Sequence, residues 1–294
     1  MRMRPPICAL LVVLAVIGWS VGVGPKAAAT DDSRLADLLA RMARVARLYR
    51  DVALKFECTE TIEYKAREDW DPPSGYVKFS YVYERDTEGR LEDCRLWRKS
   101  VTNGRTVRCV EPDDYRIPLY LRNAYLFIFA FLEDRQPWHE YRIVGEESVS
   151  GRPAIVVDYG PGNVVRANFN DWYGRAWIDR DGYQLLKVLA YRPNSWAAKQ
   201  QFEKARAASP GGKPDTKEYE LEWVVTEFGR EMNGMRFVSE VQLHRARYRW
   251  VADFREEKLL DVRQTYRRYR FYHVASREEI EGLVEGRTPA SSPR

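Results

Sequence analysis

The residue types that most often perform catalysis or bind metal ions are sparse in this chain of 294 residues. Its three histidines, His139, His244 and His273, lie at least 29 residues apart, so no two of them form a local metal-binding or acid–base motif. The HExxH, P-loop, GxSxG and strand-linked GxGxxG motifs are absent, and no two cysteines have the CxxC spacing. The run Asp179-Arg180-Asp181-Gly182 is similar to the start of a calcium loop, but a hairpin turn explains it better. The sequence therefore predicts no catalytic residue, metal or cofactor.

Carboxylates are the remaining candidates for chemistry. Pairs of Asp or Glu hydrolyse glycosides when the fold sets them a few ångströms apart, and that distance is not visible in a sequence. Glu57, Glu63, Glu218, Glu220 and Glu222 alternate with apolar residues, which is typical of the solvent-facing side of β-strands. A non-enzymatic protein is the preferred interpretation, and a hydrolase with carboxylates on a concave sheet face is the alternative.

The first 29 residues resemble an export signal. Arg2 and Arg4 precede an apolar run over residues 7–16, and the alanines at 27–29 are the small residues that a signal peptidase accepts. An uncleaved membrane anchor is the other interpretation of this run. Cys8 lies too early in the run for lipidation. We therefore predict a signal peptide over 1–29 and a periplasmic mature protein.

Composition and charge exclude several classes of protein. Hydrophobic residues make up 45% and charged residues 31% of the chain, which excludes both a polytopic membrane protein and a wholly disordered one. Removal of residues 1–29 takes away three of the 48 basic residues and leaves 45 against 43 acidic ones, a net charge of +2. Nucleic acid is therefore not an expected partner. An aromatic content of 13%, with 9 Trp and 18 Tyr, favours β structure.

Three cysteines remain in the mature chain. In an oxidising compartment, Cys58, Cys94 and Cys109 predict one disulfide and one spare thiol. Cys94 and Cys109 flank an Asn103-Gly104 turn signal and are the candidate pair, although a two-residue turn there would place Cys94 opposite residue 113. That pair needs a longer loop or a bulge, and Cys58 with either partner is nearly as plausible.

The mature chain predicts one helix followed by many strands. Polar residues at 31–33 are candidate N-caps for an amphipathic helix over 33–53, and from residue 54 the hydrophobic period changes to two. Turn signals at Ser150-Gly151, Asp181-Gly182 and Asn233-Gly234 separate paired strands, and a short helix is expected around 197–207. The last strand is predicted over 262–273, and a flexible tail over 276–294.

The apolar run over residues 118–132 differs from the strands around it. It is too short to span a membrane, and its proline at 118 suits the first turn of a helix. A helix that is apolar on all sides must be buried or must lie over a hydrophobic cavity. The run over residues 118–132 is therefore predicted to be either a core helix or the lid of a ligand site.

Arginines alternate with aromatic residues near the C-terminus. They are Arg245, Arg247 and Arg249 with Tyr248 and Trp250, then Arg263, Arg267, Arg268 and Arg270 with Tyr266, Tyr269, Phe271 and Tyr272. In the cytosol this pattern would suggest single-stranded nucleic acid. In an exported protein the anionic partners are lipid head groups, lipopolysaccharide and other polyanions. The alternative is a row of solvated arginines that prevents pairing at a sheet edge.

Two hairpin motifs carry a resemblance to a known family. One is Gly174-Arg-Ala-Trp-Ile-Asp179 with Gly182-Tyr-Gln-Leu-Leu-Lys187, and the other is residues 141–147 with 151–154. They resemble hairpins of the superfamily of periplasmic outer-membrane lipoprotein-sorting (lipoprotein-carrier) proteins. The resemblance implies an incomplete antiparallel β-barrel closed by helices, with an apolar cavity. No residues equivalent to those that receive a lipoprotein can be placed in this sequence.

These observations predict a mainly β (α+β) fold. We expect one domain over 30–275, in which a strongly curved antiparallel sheet, an incomplete barrel, has helices covering its concave face. The predicted function is non-enzymatic binding of a lipid, an acyl chain or another hydrophobic ligand, or of a lipidated protein, with anionic lipid head groups as further partners. The alternative is the exported hydrolase. Apolar strand faces and the apolar run supply the candidate ligand-binding residues: Phe79, Tyr81, Trp97, Tyr125, Phe127, Phe131, Trp177, Tyr191, Trp223 and Phe237.

Overall fold

The computed structural model describes residues 25–66, 74–85, 91–97, 109–110, 121–162, 172–208, 218–250 and 254–272. Its helices are α1 (Pro25–Leu48), α2 (Leu126–Phe129) and α3 (Pro193–Ala208). Its strands are β1 (Phe56–Ala66), β2 (Gly75–Arg85), β3 (Leu91–Trp97), β4 (His139–Val149), β5 (Arg152–Pro161), β6 (Tyr173–Asp179), β7 (Leu185–Tyr191), β8 (Glu218–Glu227), β9 (Arg230–Met232), β10 (Met235–Phe237), β11 (Glu240–Trp250) and β12 (Phe254–Phe271). The predicted tail over 276–294 and residues 1–24 of the predicted signal peptide lie outside these ranges, as does the turn predicted at 103–104.

Ten strands form one antiparallel sheet in the order β3-β2-β1-β12-β11-β8-β7-β6-β5-β4. Its two edge strands, β3 and β4, do not pair with each other, so the sheet is open. Strands β9 and β10 form a separate hairpin. The fold is therefore mainly β, and the predicted incomplete barrel is confirmed.

The sheet is strongly curved around a helical filling. A flat sheet of ten strands would be about 43 Å wide at a spacing of about 4.8 Å. Even so, a single core cluster joins Tyr83 of β2 with Tyr159 of β5, close to opposite edges, together with Met42 and Val45 of α1. Residues 121–132 lie in the same cluster. We call the sheet surface that packs on α1 and residues 121–132 the α1 face, and the opposite surface the α3 face.

Helix α1 begins earlier than its sequence signals predict. It starts at Pro25 and runs through the candidate N-cap residues at 31–33 without a break, so the N-cap prediction is wrong. Proline is favoured in the first turn of a helix, and the alanines after it are strong helix formers. At its other end the last predicted turn is present as a π-helical turn over Tyr49–Ala53. None of the described helices is long and apolar enough to cross a membrane.

The apolar run is not the continuous helix that its composition predicts. Residues 118–120 lie outside the described ranges, and from 121 to 135 only Leu126–Phe129 form a single α-helical turn between other turns. Aromatic side chains lose rotamer freedom in a helix, and the Asn123 side chain accepts a hydrogen bond from the Tyr125 amide (2.8 Å). We call residues 121–135 the cover segment, because they lie over the α1 face.

Local turn signals are confirmed where the structure describes them. Ser150 and Gly151 have φ of 51° and 80°, and Asn233 and Gly234 have 52° and 77°, the left-handed pairs that tight hairpin turns require. Asn233-Gly234 joins the short strands β9 and β10, and the long strands β8 and β11, which pair with each other, lie on either side of this hairpin in sequence. The predicted short helix is confirmed as α3, which packs on the α3 face through Phe202. Strand β12 begins at Phe254, eight residues before its predicted start.

Candidate functional site

Six of the ten predicted ligand-binding residues belong to one apolar cluster on the α1 face. Strand β2, the cover segment and β10 contribute them. Each is at most 2% exposed, so their rings are packed against protein. The six are Phe79, Tyr81, Tyr125, Phe127, Phe131 and Phe237.

The other predicted residues do not join this cluster. Trp177, Tyr191 and Trp223 lie on the α3 face, where the Trp177 side chain packs with Leu186 and the Tyr191 ring lies 5.7 Å from that of Trp196. The prediction that these three residues line the apolar site is therefore wrong. Successive residues of a strand point to opposite faces, and it is their neighbours Ala176, Ala190 and Val224 that point to the α1 core. Trp97 pairs with Phe79 in the strand register, and its side chain lies outside the described part of the chain.

Several aromatic residues of the α1 face were not in the predicted set, and Phe56 and Tyr159 are two of them. The Phe56 ring lies 5.5 Å from that of Tyr125 and 6.0 Å from that of Phe237, at the centre of the aromatic cluster. The Tyr159 ring lies 5.9 Å from that of Phe131, and its fully buried hydroxyl has no hydrogen-bond partner. Burial raises the pKa of Tyr159 well above its usual value. The period of two could have identified both residues as core positions. Phe56 alternates with polar residues, and Tyr159 continues the apolar face of its strand.

Side chains attach the cover segment to its surroundings. The Gln136 side-chain amide donates to the carbonyls of Leu39 in α1 and of Phe131, both at 2.9 Å. The Tyr141 hydroxyl donates to the carbonyl of Ala130. Backbone groups that a regular helix would satisfy internally are thus satisfied by neighbouring elements.

A buried ion pair lies beneath the beginning of the cover segment. The Glu60 carboxylate of β1 is fully buried and accepts hydrogen bonds from the Arg95 Nε and Nη2 atoms at 2.6 and 2.9 Å. It also accepts from the Gln264 side-chain amide at 3.0 Å and from the Tyr266 hydroxyl at 2.8 Å. Its acceptor sites are satisfied by these four donors, which fits a structural role. Sequence reasoning missed Glu60, although it shares the even positions of Phe56, Cys58 and Ile62.

The same network binds the backbone of the cover segment. Gln264 accepts from the Leu121 amide at 2.6 Å and donates to its carbonyl at 3.1 Å. Arg95 Nη1 donates to the carbonyl of Arg122 at 3.0 Å and lies 3.4 Å from an Asp93 oxygen. Burial raises the pKa of Asp93 above its ordinary value, and the nearby Glu60 carboxylate adds to this effect while Arg95 opposes it.

Four of the five glutamates that could have formed a hydrolase site have other partners, and the fifth is Glu63. Glu218 and Glu222 pair with Arg249 and Arg245 at 3.3 and 2.7 Å, and Glu57 accepts a hydrogen bond from the Ser80 hydroxyl. Within the described ranges, no group of His, Cys, Asp and Glu side chains has the arrangement that holds a metal ion. This arrangement favours ion pairing between strands over catalysis.

The sulfur atoms of Cys94 and Cys109 are joined in a disulfide. The disulfide connects β3 to residues 109–110, and the Val110 amide donates to the Arg95 carbonyl at 2.8 Å. Cys58 is a free, buried thiol, and burial raises its pKa well above the usual value.

An open groove of about 450 Å³ lies between α1 and the cover segment. Its α1 side is apolar, with Ala36, Leu39, Ala40 and Ala43 on it, and Leu39 also packs against the aromatic cluster. Polar side chains complete the lining: Arg44, Arg47, Glu133 and Gln136. Arg47 pairs with Glu133 at 2.7 Å. We call this the α1 groove.

Comparison with known proteins finds likeness at the level of the fold. A DUF1329 family protein from Desulfovibrio piger is 12% identical with a TM-score of 0.41, over 83% of this chain and 94% of that one. A LolA superfamily protein from Nitrosomonas europaea is 8% identical with a TM-score of 0.35, over 80% and 93%. An outer membrane lipoprotein-sorting protein domain from Vibrio parahaemolyticus is 9% identical with a TM-score of 0.35, over 81% and 95%. No protein-family model matches the chain, and the search of curated proteins found no match.

Proposed function

We propose that this protein is an exported, non-enzymatic binding protein that holds an acyl chain between helix α1 and the cover segment. The α1 groove is the observation that carries the proposal. It is open to solvent, its α1 side is apolar, and at Leu39 it reaches the aromatic cluster of the α1 face. Pockets for small hydrophobic ligands have this combination of an apolar lining with a few polar groups.

The charges of the groove favour an acyl chain with an anionic end. Arg44 and Arg47 lie on the same side of α1 as the apolar residues, one helical turn beyond Ala40 and Ala43. A chain lying on the alanines could place a carboxylate or phosphate beside these guanidinium groups. Each methylene that leaves water contributes about 0.8 kcal/mol, so affinity should increase with chain length. A lipidated protein would offer the same acyl chains, and a free lipid is the simpler ligand.

Deeper binding would require the cover segment to move. Phe127 and Phe131 fill the space between α1 and the sheet, and they are 1% and 0% exposed. An aspartate at either position would bury an unpaired charge and unfold the protein, so such a variant does not test binding. A substitution at the solvent-exposed wall of the α1 groove tests binding, because it leaves the core unchanged.

The experiment is lipid extraction of protein purified after export, followed by mass spectrometry, with binding of a fluorescent fatty acid as a second readout. Ala40 is exposed and lines the groove, so Ala40→Trp fills the groove without disturbing the core. Asp37→Trp is the matched control, because Asp37 is exposed on α1 and does not line the groove. We expect the wild type and the control to bind acyl chains and Ala40→Trp to lose them.

Two results would contradict the proposal. If the wild-type protein neither carries lipid nor binds the fatty acid, it is not an acyl-chain carrier. If folded Ala40→Trp binds as well as the control, the ligand does not occupy the α1 groove. Circular dichroism of all three proteins verifies that the fold is kept.

A further inference from the structure

Strand β12 contains a β-bulge that brings two consecutive arginines to the same side of the sheet. Glu57 of β1 pairs with Arg270 and Thr59 with Arg267, so Arg268 and Tyr269 together oppose the single residue Cys58. Val262, Gln264 and Tyr266 point to the α1 face, and after the bulge Tyr269 packs on that core again. The extra residue, Arg268, therefore lies on the α3 side beside Arg267, and both side chains are exposed.

The bulge places Arg268 in a conformation that arginine rarely adopts. Its φ is 59°, in the left-handed region that favours glycine. Where a side chain is kept at such a position, the strain is a reason to look for a role of that side chain.

A pocket of about 200 Å³ lies at the bulge, on the α3 face and away from the α1 groove. Threonines of β1 and β12 line it together with Lys78 of β2 on one side and three arginines of β12 on the other. One carboxylate, that of Glu63, is also part of the lining. The full lining is Thr59, Thr61, Glu63, Lys78, Arg263, Thr265, Arg267 and Arg268.

Protection of a sheet edge explains only part of this arrangement. Arg263 lies where β12 pairs with both β1 and β11, whereas beyond Thr265 the strand pairs with β1 alone, so Arg267 and Arg268 border a local edge. Single arginines at alternate positions would protect such an edge, and two on the same face are not required for it. The arginines of β11 are also explained, because Arg245 and Arg249 pair with glutamates of β8. On β12, Arg263 pairs with Glu240 at 2.6 Å and Arg267 also acts electrostatically on that carboxylate, whereas Arg268 forms no ion pair with any described residue.

We propose that this pocket binds a phosphate group. Guanidinium groups bind phosphate oxygens in pairs, lysine adds a compact positive charge, and threonine hydroxyls donate further hydrogen bonds. The phosphate belongs either to a small soluble molecule or to a lipid head group, and the site recognises the oxygens that these share. The proposal goes beyond acyl-chain binding, because the pocket lies on the opposite face of the sheet.

Calorimetry with inorganic phosphate and co-sedimentation with vesicles test the proposal on the full-length protein. The test variant is Arg267→Ser/Arg268→Gly, in which glycine also suits the left-handed backbone. Arg270→Ser is the control, because Arg270 lies exposed on the same strand and face but outside the pocket. We expect phosphate affinity to fall about tenfold or more in the double variant and to stay within about twofold in the control.

The vesicle arm identifies the source of the phosphate. Binding to phosphatidylglycerol vesicles but not to inorganic phosphate would assign the site to lipid head groups, provided that the double variant loses it. Binding of inorganic phosphate with the same loss would assign it to soluble ligands. The proposal is overturned if neither probe binds, if the double variant binds as the wild type does, or if Arg270→Ser weakens binding equally.

Discussion

Replacing Arg95 with methionine should destabilise this protein more than any substitution on its surface. The Arg95 side chain is 4% exposed and that of Glu60 is 0% exposed, so the substitution leaves a carboxylate buried without its cation. Breaking a buried pair in this way costs about 3–5 kcal/mol. Gln264 and Tyr266 would remain as donors to Glu60, and we therefore expect a loss near the middle of that range, about 4 kcal/mol.

A second variant separates the cost of an unpaired charge from the value of the ion pair itself. Glu60→Leu/Arg95→Met removes both charges and keeps the bonds of Gln264 to Leu121. Apolar replacement of a buried pair is often neutral, but Asp93 and the carbonyl of Arg122 lose a donor as well. The double variant should therefore lie within about 2 kcal/mol of the wild type and be more stable than Arg95→Met.

The assay is urea unfolding followed by tryptophan fluorescence, with the slope of the transition checked for two-state behaviour. Arg142→Met is the control, since the Arg142–Asp158 pair is 3.3 Å long with Arg142 77% exposed, and such pairs contribute about 0–1 kcal/mol. A loss below about 1 kcal/mol in Arg95→Met would refute the reasoning. So would a double variant as unstable as the single one.

Three further predictions concern other groups of the sheet. Asp93→Asn should raise the free energy of unfolding at neutral pH, because the folded state holds the Asp93 proton more tightly than the unfolded chain does. The stability of the wild type therefore falls as the pH rises above the ordinary pKa of an aspartate. Urea unfolding at pH 4 and pH 7 should show a smaller fall in the variant. An equal fall in both proteins would contradict this. Replacing Cys94 and Cys109 with serine should cost about 3 kcal/mol, since the disulfide closes a separation of 15 residues, and thermal unfolding with and without reductant measures it; identical curves would contradict it. Tyr159→Phe should stabilise the protein by about 1 kcal/mol by removing a buried hydroxyl that has no partner, and a destabilised variant would show that the hydroxyl is bonded.

The sequence by itself determined the features that depend on neighbouring residues. Ser150-Gly151 and Asn233-Gly234 form left-handed turns because few other residue pairs adopt them, and the turns set the registers of the hairpins β4–β5 and β9–β10. The alternation of apolar residues from residue 54 indicated antiparallel strands, and the resemblance carried by the hairpin motifs implied an incomplete barrel. These signals are local, so a linear sequence contains them completely.

Only the tertiary structure decided which face each aromatic residue occupies. Alternation separates Trp177 from Ile178, but it does not say which of them points to α1. That choice depends on the register between neighbouring strands and on what fills the space inside the curve. Phe56, Phe131 and Phe237 fill that space, so strand β6 presents small or aliphatic residues to it and its tryptophan to the other face.

Tertiary contacts also overrode the composition at three places. The apolar run over 121–132 forms one helical turn because neighbouring side chains bond its backbone. Glu60 is buried because Arg95, 35 residues away in sequence, compensates its charge. The bulge at Arg268 changes the phase of strand β12, so that Tyr269 keeps its place in the core while two arginines lie side by side outside it. For Glu60 and for the bulge the partners are distant in sequence, and folding alone brings them within the few ångströms over which hydrogen bonds and ion pairs act.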